Sequence, residues 1–579
     1  MAAAAPAPRR KLREFSYSQV KVTSGPLAAQ YRRLHAHFLK LDEDRLLKVY
    51  RQRAGLPAPG ADMGGWYDAE GFVPGHLIGQ FVSGLSRFHA NTGDAEAAAK
   101  ARRLVEGYTA AFERDGNPFA SPKASTTWPC YILDKYEIGM FDAATLAGIE
   151  PARALLPRII QAATRFIPDH TYDRGPNSPK QAPYDEPYIL PENLFKAHQL
   201  TGDRRFLEMA KRYLLDHEFF NPLSEGVNIL PGKHGYSHVI ALSSGALAYE
   251  VLGDPKYLRA IANAWDMLEQ TQQFASGAWA PKEIMVNPHS GELGASLTTT
   301  RDHFETPCGY YAHSKLARYL LGLTGEARYG DGLERVLLNT ILGAIDPDED
   351  GGYFYYSDYQ ARAQKGYYHR KWPCCAGTLS QSVADYPLDL YFHDERGIYV
   401  NLFAESEVHW KTNQIPVRLT QHTRYPEAET IELRVEPASP AEFSVNVRIP
   451  GWLDQPAQIS INGRPANVKA DRGTFATLQR RWQKHDTVEL TLPFGFRAVG
   501  VDDRNPDTVA VMRGPVMLTA IDPPADLAAT ASAFAVMKPV PGKPLEFDCS
   551  TASGPVRLQP FYQVQRETYT TYFRRLRDA

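Results

Sequence analysis

The chain has 579 residues, more than one ordinary domain needs, so we expect about two to four domains around a large core. A net charge of −2 argues against a nucleic-acid partner and against binding to an anionic membrane. Five cysteines are too few and too scattered for a disulfide framework, and a chain with 43% hydrophobic and 22% charged residues is typical of a soluble globular enzyme.

The chain begins with an alanine- and proline-rich stretch, and we expect residues 1–14 to form a flexible N-terminal tail. The stretch lacks the apolar core of a signal peptide. No apolar run in the chain reaches the roughly 18–20 residues that a membrane-spanning helix needs. We therefore expect a soluble, bacterial-type protein of the cytoplasm or the periplasm.

From residue 75 onward, apolar residues recur every three or four positions, which predicts long helices. Glycines of the kind that end helices follow at separations of 55, 54, 51 and 72 residues: Gly93, Gly148, Gly202, Gly253 and Gly325. Each interval has room for two helices and a turn, so the pattern predicts a repeated αα-hairpin. We expect the hairpins to close into an (α/α)6 barrel over residues 15–395. An open solenoid is the alternative.

After about residue 391 the apolar period changes to two, which predicts antiparallel strands. One such run covers residues 443–449, and Asn462-Gly463 is a tight-turn signal. We therefore expect a β-sandwich over residues 396–500 and a further β-rich segment over residues 501–579. The fold class is mainly α with additional β domains.

Three of the five cysteines fall in two short motifs that also contain a carboxylate. Cys374 and Cys375 are adjacent, and the small ring of a bond between them would strain disulfide geometry. Glu305 and Cys308 are three residues apart, and Pro307 between them fits only the first turn of a helix. Three thiols and one carboxylate would complete a tetrahedral Zn2+ shell. The alternative is three buried free thiols.

The motifs Glu305-Thr-Pro-Cys308, Pro373-Cys-Cys-Ala-Gly377 and Gly75-His-Leu-Ile-Gly79 resemble those of the DUF1680 group, glycoside hydrolase family 127. The founding activity of that family is β-L-arabinofuranosidase. The resemblance covers roughly residues 15–520. It implies a zinc-dependent, retaining glycoside hydrolase that cleaves a terminal furanoside, such as a β-L-arabinofuranoside, from a carbohydrate substrate.

The resemblance also implies roles for the motif residues. Cys374 would be the nucleophile that attacks the anomeric carbon, and Glu305, Cys308 and Cys375 would be the other zinc ligands. A zinc-bound thiol stays deprotonated, which is its nucleophilic form. The family motif is usually Glu-Thr-Cys, so Pro307 is an extra residue here. We expect it to rotate Cys308 relative to Glu305.

The expected acid/base is Glu292, 13 residues before Glu305, which would protonate the leaving oxygen and then activate water. Glu283 is a weaker substitute, and a solvated loop glutamate is the alternative interpretation of Glu292. Four further side chains are expected to bind the sugar: His76, Glu192, His238 and Tyr356. A capping or core-packing role is the alternative for each of them.

Two other functions remain open on sequence grounds. The same barrel could carry a polysaccharide lyase or an epimerase that uses histidine and tyrosine as acid and base. The chain could also be a non-catalytic carbohydrate-binding protein with structural thiols. The sequence does not fix the sugar, the linkage or the oligomeric state, for which a homodimer is the candidate.

Overall fold

The structure, a computed structural model, describes residues 9–121, 128–174, 185–346 and 352–578. The chain is mainly helical before Tyr391 and mainly β-sheet from there on. The helices are α1 (Gly25–Lys40), α2 (Glu43–Arg53), α3 (Ile78–Thr92), α4 (Ala95–Asp115), α5 (Pro129–Leu146), α6 (Glu150–Ala163), α7 (Pro191–Thr201), α8 (Arg204–Tyr213), α9 (Asn221–Ser224), α10 (Gly235–Leu252), α11 (Pro255–Thr271), α12 (Glu292–Thr299), α13 (Thr306–Thr324), α14 (Arg328–Asn339), α15 (Cys374–Ala384), α16 (Tyr386–Leu390) and α17 (Ala531–Ala535).

The glycines that predicted the helix ends lie where the pattern placed them. Gly93, Gly202, Gly253 and Gly325 each follow the last residue of a helix, with φ between 73° and 82°. Glycine adopts this left-handed conformation without steric cost, so it ends the helix and turns the chain. Gly148, with φ 60°, lies in the turn between α5 and α6. The predicted helical hairpins are therefore present.

Six helices contact one another in a closed cycle, α3–α5–α7–α10–α13–α15, in which α15 packs back against α3. Each of them also packs against a second helix: α4, α6, α8, α11, α14 and, for α15, the N-terminal α1. Residues 235–248 of α10 and all of α15 are buried, as expected for helices covered on every side. The partner of α10, α11, buries one stripe and leaves the rest partly or fully exposed.

Two glycines allow α3 and α5 to approach closely. A Cβ atom on Gly79 would lie 2.0 Å from the carbonyl oxygen of Lys135, and one on Gly139 would lie 2.4 Å from the carbonyl oxygen of Gly79. Only a residue without a side chain fits at either position. Gly79, part of a motif singled out in the sequence, therefore has a packing role.

The strands are β1 (Arg13–Glu14), β2 (Val20–Val22), β3 (Phe304–Glu305), β4 (Tyr353–Phe354), β5 (Tyr356–Ser357), β6 (Tyr367–Tyr368), β7 (Tyr391–His393), β8 (Gly397–Val400), β9 (Ser406–Thr412), β10 (Ile415–Thr423), β11 (Thr430–Pro437), β12 (Ala441–Ile449), β13 (Gln458–Ile461), β14 (Arg464–Pro465), β15 (Thr474–Trp482), β16 (Asp486–Thr491), β17 (Phe496–Gly500), β18 (Thr508–Arg513), β19 (Val516–Ile521), β20 (Ala528–Thr530), β21 (Lys538–Pro539), β22 (Phe547–Thr551), β23 (Gly554–Pro560), β24 (Tyr569–Thr570) and β25 (Tyr572–Leu576).

Three large sheets contain most of these strands. One has the order β1-β7-β8-β12-β15 and a second has the order β14-β13-β16-β11-β10-β9-β2. The third, C-terminal sheet has the order β20-β25-β18-β19-β23-β22-β21, with β17 on β18 and β24 on β19. The predicted strand over residues 443–449 lies within β12, and Asn462-Gly463 turns β13 into β14. The C-terminal part is therefore sheet-rich, as the period-two pattern indicated.

The chain is attached to the fold from residue 9 onward, which differs from the expected flexible tail over residues 1–14. Arg9 donates a hydrogen bond to the carbonyl oxygen of Tyr249, and Arg10 donates one of 2.8 Å to Glu250. Residues 13 and 14 form β1, which pairs with β7. Residues 1–8 of the predicted tail lie outside the described residues.

None of the helices in the described ranges combines the length and the apolar character that crossing a membrane requires.

Candidate active site

Two helix N-termini bring three thiols and a carboxylate together. Glu305 immediately precedes α13, and Cys308 lies in the first turn of that helix. Cys374 and Cys375 are the first two residues of α15, which packs against α13. Sγ of Cys374 lies 3.0 Å from Oε1 of Glu305, and Sγ of Cys375 lies 3.4 Å from Sγ of Cys308. The four side chains that the sequence grouped are therefore neighbours.

Pro307 is compatible with this arrangement. It is the second residue of α13, a position where the missing backbone N–H has no partner to lose. The rotation that we expected from this extra residue does not take Cys308 away from Glu305. The ligand atoms of all four side chains lie within 4.8 Å of one another.

The cluster has the chemistry and the spacing of a metal site. In a tetrahedral site with Zn–S bonds of about 2.3 Å, neighbouring sulfurs lie about 3.8 Å apart. The distance of 3.4 Å between Sγ of Cys375 and Sγ of Cys308 is close to that value, and Sγ of Cys375 also lies 3.8 Å from Oε1 of Glu305. Oε2 of Glu305 is buried and has no hydrogen-bond partner among the described residues. A cation that binds thiolate and carboxylate would satisfy this oxygen, so the residues fit a metal.

The protein environment treats the three thiols differently. Burial opposes ionisation of Cys374, but its hydrogen bonds with Cys308, Cys375 and Glu305 outweigh burial and lower its pKa well below the ordinary value. Burial raises the pKa of Cys308 and of Cys375 well above theirs. Burial and the charge of Cys374 also raise the pKa of Glu305. Cys374, at the N-terminus of α15, is therefore the thiol most readily ionised.

A cavity of about 420 Å³ opens next to the cluster. Cys374 lines it, whereas Cys308 and Cys375 are not among its lining residues and are fully buried. The other lining residues are Trp66, Phe72, Val73, His76, Trp128, Tyr131, Arg174, Glu186, His234, Tyr236, Glu283, Glu305, Tyr355, Tyr356 and Tyr368. A molecule in this cavity would therefore meet one thiol of the three.

A carboxylate that is not part of the cluster also faces the cavity. Glu283 accepts a hydrogen bond of 3.0 Å from the hydroxyl of Tyr355 and a second, short one from Tyr356. The Tyr355 hydroxyl lies 3.6 Å from Sγ of Cys374, so one phenol links the carboxylate to the thiol. Strand β5, which begins at Tyr356, pairs with β3, which ends at Glu305. This pairing places both tyrosines beside the cluster.

The backbone around Glu283 has an uncommon conformation. Ala280, Lys282 and Glu283 have φ values of 59°, 56° and 65°, in the left-handed region that residues other than glycine seldom adopt. Such strain costs about 1–3 kcal/mol per residue and is concentrated at functional sites, where the surrounding fold maintains it. The strained turn directs the Glu283 side chain into the cavity.

His234 orients Glu283 from the other side. It is the N-cap residue of α10, and its Nδ1 accepts a hydrogen bond from the backbone N–H of Ser237. Nε2 therefore carries the proton and donates to Oε2 of Glu283 over 3.1 Å. Burial raises the pKa of Glu283, but the interactions with His234 and Tyr356 outweigh burial and hold the pKa below its ordinary value.

Two of the predicted sugar-binding residues line the cavity. Nδ1 of His76 donates a hydrogen bond to the Val73 carbonyl oxygen, and Nε2 has no partner among the described residues. Burial lowers the pKa of His76 to about 4, so the ring is neutral at pH 7 and Nε2 can accept a hydrogen bond. Tyr356 is half-buried and contacts Glu283 through its hydroxyl.

Glu292, the predicted acid/base, is not in the cavity. It is exposed at the start of α12, where it accepts a hydrogen bond of 2.7 Å from Asn287. The beginning of α12 packs against the C-terminal part of the chain, and the N–H of Gly294 donates to Asp502. The structure therefore corrects this prediction: Glu292 is exposed and is not among the residues that line the cavity with Cys374.

Glu192 and His238 are also not in the cavity. Glu192 is buried in ion pairs with Lys196 and Lys315, and it lines a different, charged cavity. His238 is fully buried and bonds to Asp173 through Nε2 and to the carbonyl oxygen of His234 through Nδ1. Both side chains therefore stabilise the helical scaffold, and their interactions correct the predicted contact with a sugar.

Sequence inspection missed several lining residues, above all His234, Tyr355 and Arg174. His234 stands four residues before His238 in the same motif, so a helix N-cap assignment could have identified it. Tyr355 adjoins the predicted Tyr356. Arg174 and Glu186 carried no recognisable signal in the sequence, because their ion pair forms only in the folded chain.

Comparison with known proteins gives family matches over most of the chain. A model described as the catalytic domain of GH127 β-L-arabinofuranosidase matches residues 19–388, and one described as the middle domain matches residues 397–494. Among curated proteins, the non-reducing end β-L-arabinofuranosidase of Bifidobacterium longum subsp. longum is 26% identical over 394 residues. The match covers 58% of this chain and 57% of that protein, so the chain spans little more than half the length of this relative.

Solved structures of GH127 enzymes have the same fold. A GH127 β-arabinofuranosidase superposes with a TM-score of 0.77 at 18% identity and covers 98% of each chain. A GH127 β-L-arabinofuranosidase from Geobacillus stearothermophilus T6 gives a TM-score of 0.74 at 16% identity, over 96% of this chain and 100% of that one. At these identities the superposition shows a common fold.

Proposed function

Because the chain belongs to the GH127 β-L-arabinofuranosidase family of glycoside hydrolases, we propose that it is a retaining hydrolase that removes a terminal β-L-arabinofuranosyl unit or a closely related furanoside. The family match makes the chain an enzyme that acts on carbohydrate. The curated relative, a non-reducing end β-L-arabinofuranosidase, supports the choice of a terminal furanoside. The choice of mechanism depends on the geometry of the cavity.

We propose that the closed cycle of six helices with its partner helices is an (α/α)6 barrel over residues 15–395. The contact of α15 with α3 supports closure over an open solenoid. A β-sandwich over residues 396–500 and a β-rich segment over residues 501–579 would follow, and the matched ranges 19–388 and 397–494 support the first boundary. The N-termini of α13 and α15, which contain the cluster, would then lie at one end of the barrel.

We propose that Glu305, Cys308, Cys374 and Cys375 hold one Zn2+. The sulfur-rich donor set, the spacing of the ligand atoms and the unpaired Oε2 of Glu305 support zinc. When bound, zinc keeps the thiol of Cys374 in its thiolate form at neutral pH.

The observation that carries the proposed mechanism is that Cys374 is the one cysteine of the cluster that lines the cavity. Its Sγ attacks the anomeric carbon and forms the sulfur–carbon bond while the bond from that carbon to the leaving oxygen breaks. The leaving oxygen takes a proton from Glu283, which must be protonated when the substrate binds and whose carboxyl group faces the same cavity. Glu283 thus takes the role that the sequence assigned to Glu292.

In the second step Glu283, now a carboxylate, takes a proton from a water molecule. The water oxygen bonds to the anomeric carbon, and the sulfur–carbon bond breaks to return the Cys374 thiolate. The two displacements restore the original configuration.

Neutral His76 supplies an acceptor for a sugar hydroxyl through Nε2, and Tyr356 supplies a wall of the site. The hydrolase family disfavours the lyase, epimerase and non-catalytic alternatives.

The test is a panel of nitrophenyl furanosides and pyranosides, assayed with native enzyme and with Cys374→Ser. We expect hydrolysis of the β-L-arabinofuranoside with retained configuration, seen by proton NMR of the first product, and loss of turnover in the variant. Full activity in Cys374→Ser would overturn the proposal.

A further inference from the structure

Three aromatic rings, Trp66, Phe72 and Trp128, form an aromatic rim at the cavity. Phe72 is 52% exposed and is the one exposed phenylalanine, tyrosine or tryptophan among the residues that the structure describes. Its ring packs edge-on against Trp66, with centroids 5.1 Å apart, and against Trp128, with centroids 5.8 Å apart. A single exposed apolar residue is ordinary, but this one is the centre of a cluster that continues into the cavity.

The rim is fixed relative to the proposed nucleophile. The N–H of Trp66 donates a hydrogen bond of 2.9 Å to the carbonyl oxygen of Lys371, and the carbonyl oxygen of Trp66 accepts one from Val73. Nε1 of Trp372 donates over 2.7 Å to the carbonyl oxygen of Met63. The loop that carries the rim is therefore bonded to the segment that leads into Cys374. Pre-organised rings of this kind lose little entropy on binding.

The position of the rim in the cavity indicates which part of a substrate it meets. His76, Tyr236 and Cys374 are buried and form the inner wall, whereas Phe72 is exposed and Trp66 and Trp128 are half-buried. A terminal sugar that reaches Cys374 must place the group on its anomeric oxygen toward the open end. An apolar cavity of about 150 Å³ accommodates a benzene ring, so about 420 Å³ has room for more than one ring.

The charges near the rim compensate one another. The guanidinium of Arg174 lies 5.0 Å from the centroid of the Trp128 ring and forms an ion pair with Glu186. This pair fixes one side of Trp128 and adds no net charge. The exposed ring at the rim is Phe72, which has no hydrogen-bonding group. The surface therefore favours the apolar face of an uncharged ring.

We propose that the aromatic rim is a subsite for the leaving group, in which Phe72 stacks on the apolar face of the next, neutral sugar ring of the substrate. This inference rests on the proposed function, because it needs hydrolysis at Cys374 to define a leaving group. It makes the enzyme selective for a terminal furanoside that is linked to a further sugar, over the same furanoside with a small leaving group.

The test compares two substrates with the same β-L-arabinofuranosyl unit and similar leaving-group acidity: the methyl glycoside and an arabinose disaccharide. In Phe72→Ala we expect kcat/KM for the disaccharide to fall about tenfold, mainly through KM, and that for the methyl glycoside to change by less than about twofold. Phe72→Tyr should restore the disaccharide value. Val227→Ala, a change at a similarly exposed apolar residue that does not line the cavity, is the matched control.

The outcomes separate this inference from the proposed function. An equal loss on both substrates in Phe72→Ala, or no loss on either, would overturn the subsite and leave Cys374-dependent hydrolysis intact. Absence of Cys374-dependent hydrolysis in the native enzyme would overturn the proposed function, and the subsite with it. An unchanged thermal midpoint in Phe72→Ala, which we expect because the ring is exposed, shows that the variant is folded.

Discussion

The hydroxyl of Tyr355 donates a hydrogen bond of 3.0 Å to Oε1 of Glu283. The same oxygen lies 3.6 Å from Sγ of Cys374, so the two proposed reacting groups share one neighbour. Tyr355 therefore orients the carboxylate by donating to it, and its hydroxyl oxygen can accept from the Cys374 thiol. In Tyr355→Phe we expect kcat/KM to fall about 10- to 100-fold, the usual effect of losing a hydrogen bond to a charged group.

Tyr399→Phe is the matched control for Tyr355, since the Tyr399 hydroxyl also donates to a carboxylate, that of Asp394, but lies in β8, outside the lining of the cavity. Steady-state kinetics of the two variants would separate a local role from a general effect of removing a phenol. Equal kcat/KM values for Tyr355→Phe and Tyr399→Phe would contradict the role of Tyr355.

The acid/base assignment makes opposite predictions for two glutamates. Glu283→Gln removes the proton donor, so kcat for a glycoside with a poor leaving group should fall about 10²- to 10⁴-fold. Glu292→Gln should keep the native rate, because Glu292 is exposed and outside the cavity. Kinetics on the arabinose disaccharide measure both. A large loss in Glu292→Gln with a native rate in Glu283→Gln would reverse the assignment.

The metal proposal is tested by stoichiometry and removal. Native protein should contain one zinc per chain by plasma mass spectrometry, and Cys375→Ser should lose most of it, because one of four ligands is absent. A chelator should abolish hydrolysis, and added Zn2+ should restore it. Cys549→Ser is the control, since Cys549 lies in the C-terminal sheet. Full zinc content in Cys375→Ser would refute the ligand set.

Glu137 on α5 predicts an unusual dependence of stability on pH. It is buried, and neither carboxyl oxygen has a hydrogen-bond partner among the described residues. Burial, with a smaller contribution from the charge of Asp134, raises the pKa of Glu137 well above its ordinary value. The folded chain therefore keeps a proton that the unfolded chain releases above about pH 4.3. Because the unfolded state binds fewer protons, stability falls as pH rises from there toward the raised pKa of the folded state.

Glutamine cannot ionise, so Glu137→Gln should remove this pH-dependent contribution to stability. Thermal midpoints are measured by circular dichroism. We expect the midpoint of the variant minus that of native protein to increase from pH 5 to pH 8. Glu150→Gln, a change at an exposed glutamate, is the control. A difference between variant and native protein that stays constant over this pH range would contradict the prediction.

Features that depend on local sequence were predictable. A glycine such as Gly93 ends a helix because of its own backbone freedom, and the change of apolar period near residue 391 reflects side-chain alternation in strands. The grouping of Cys374 and Cys375 with Glu305 and Cys308 was also predictable, because one metal ion can bind the thiols and the carboxylate of the two motifs.

Features that depend on distant contacts were not predictable. Glu292 is nearer to Glu305 in sequence than Glu283 is, but α12 starts at Glu292 and packs against the chain near Asp502. Glu283 enters the cavity through a strained turn that no propensity predicts. His234 and His238 differ by one helical turn, and that turn places one at the cavity and the other in the core.

The central claim is that Cys374 forms the covalent intermediate. Glu283→Gln with 4-nitrophenyl β-L-arabinofuranoside tests it most directly, because this leaving group needs no acid but water attack still needs the base, so the intermediate accumulates. After rapid quenching and digestion, peptide mass spectrometry should find one arabinosyl unit on Cys374. A sugar bound to another residue, or a first product of inverted configuration with no adduct, would contradict the claim.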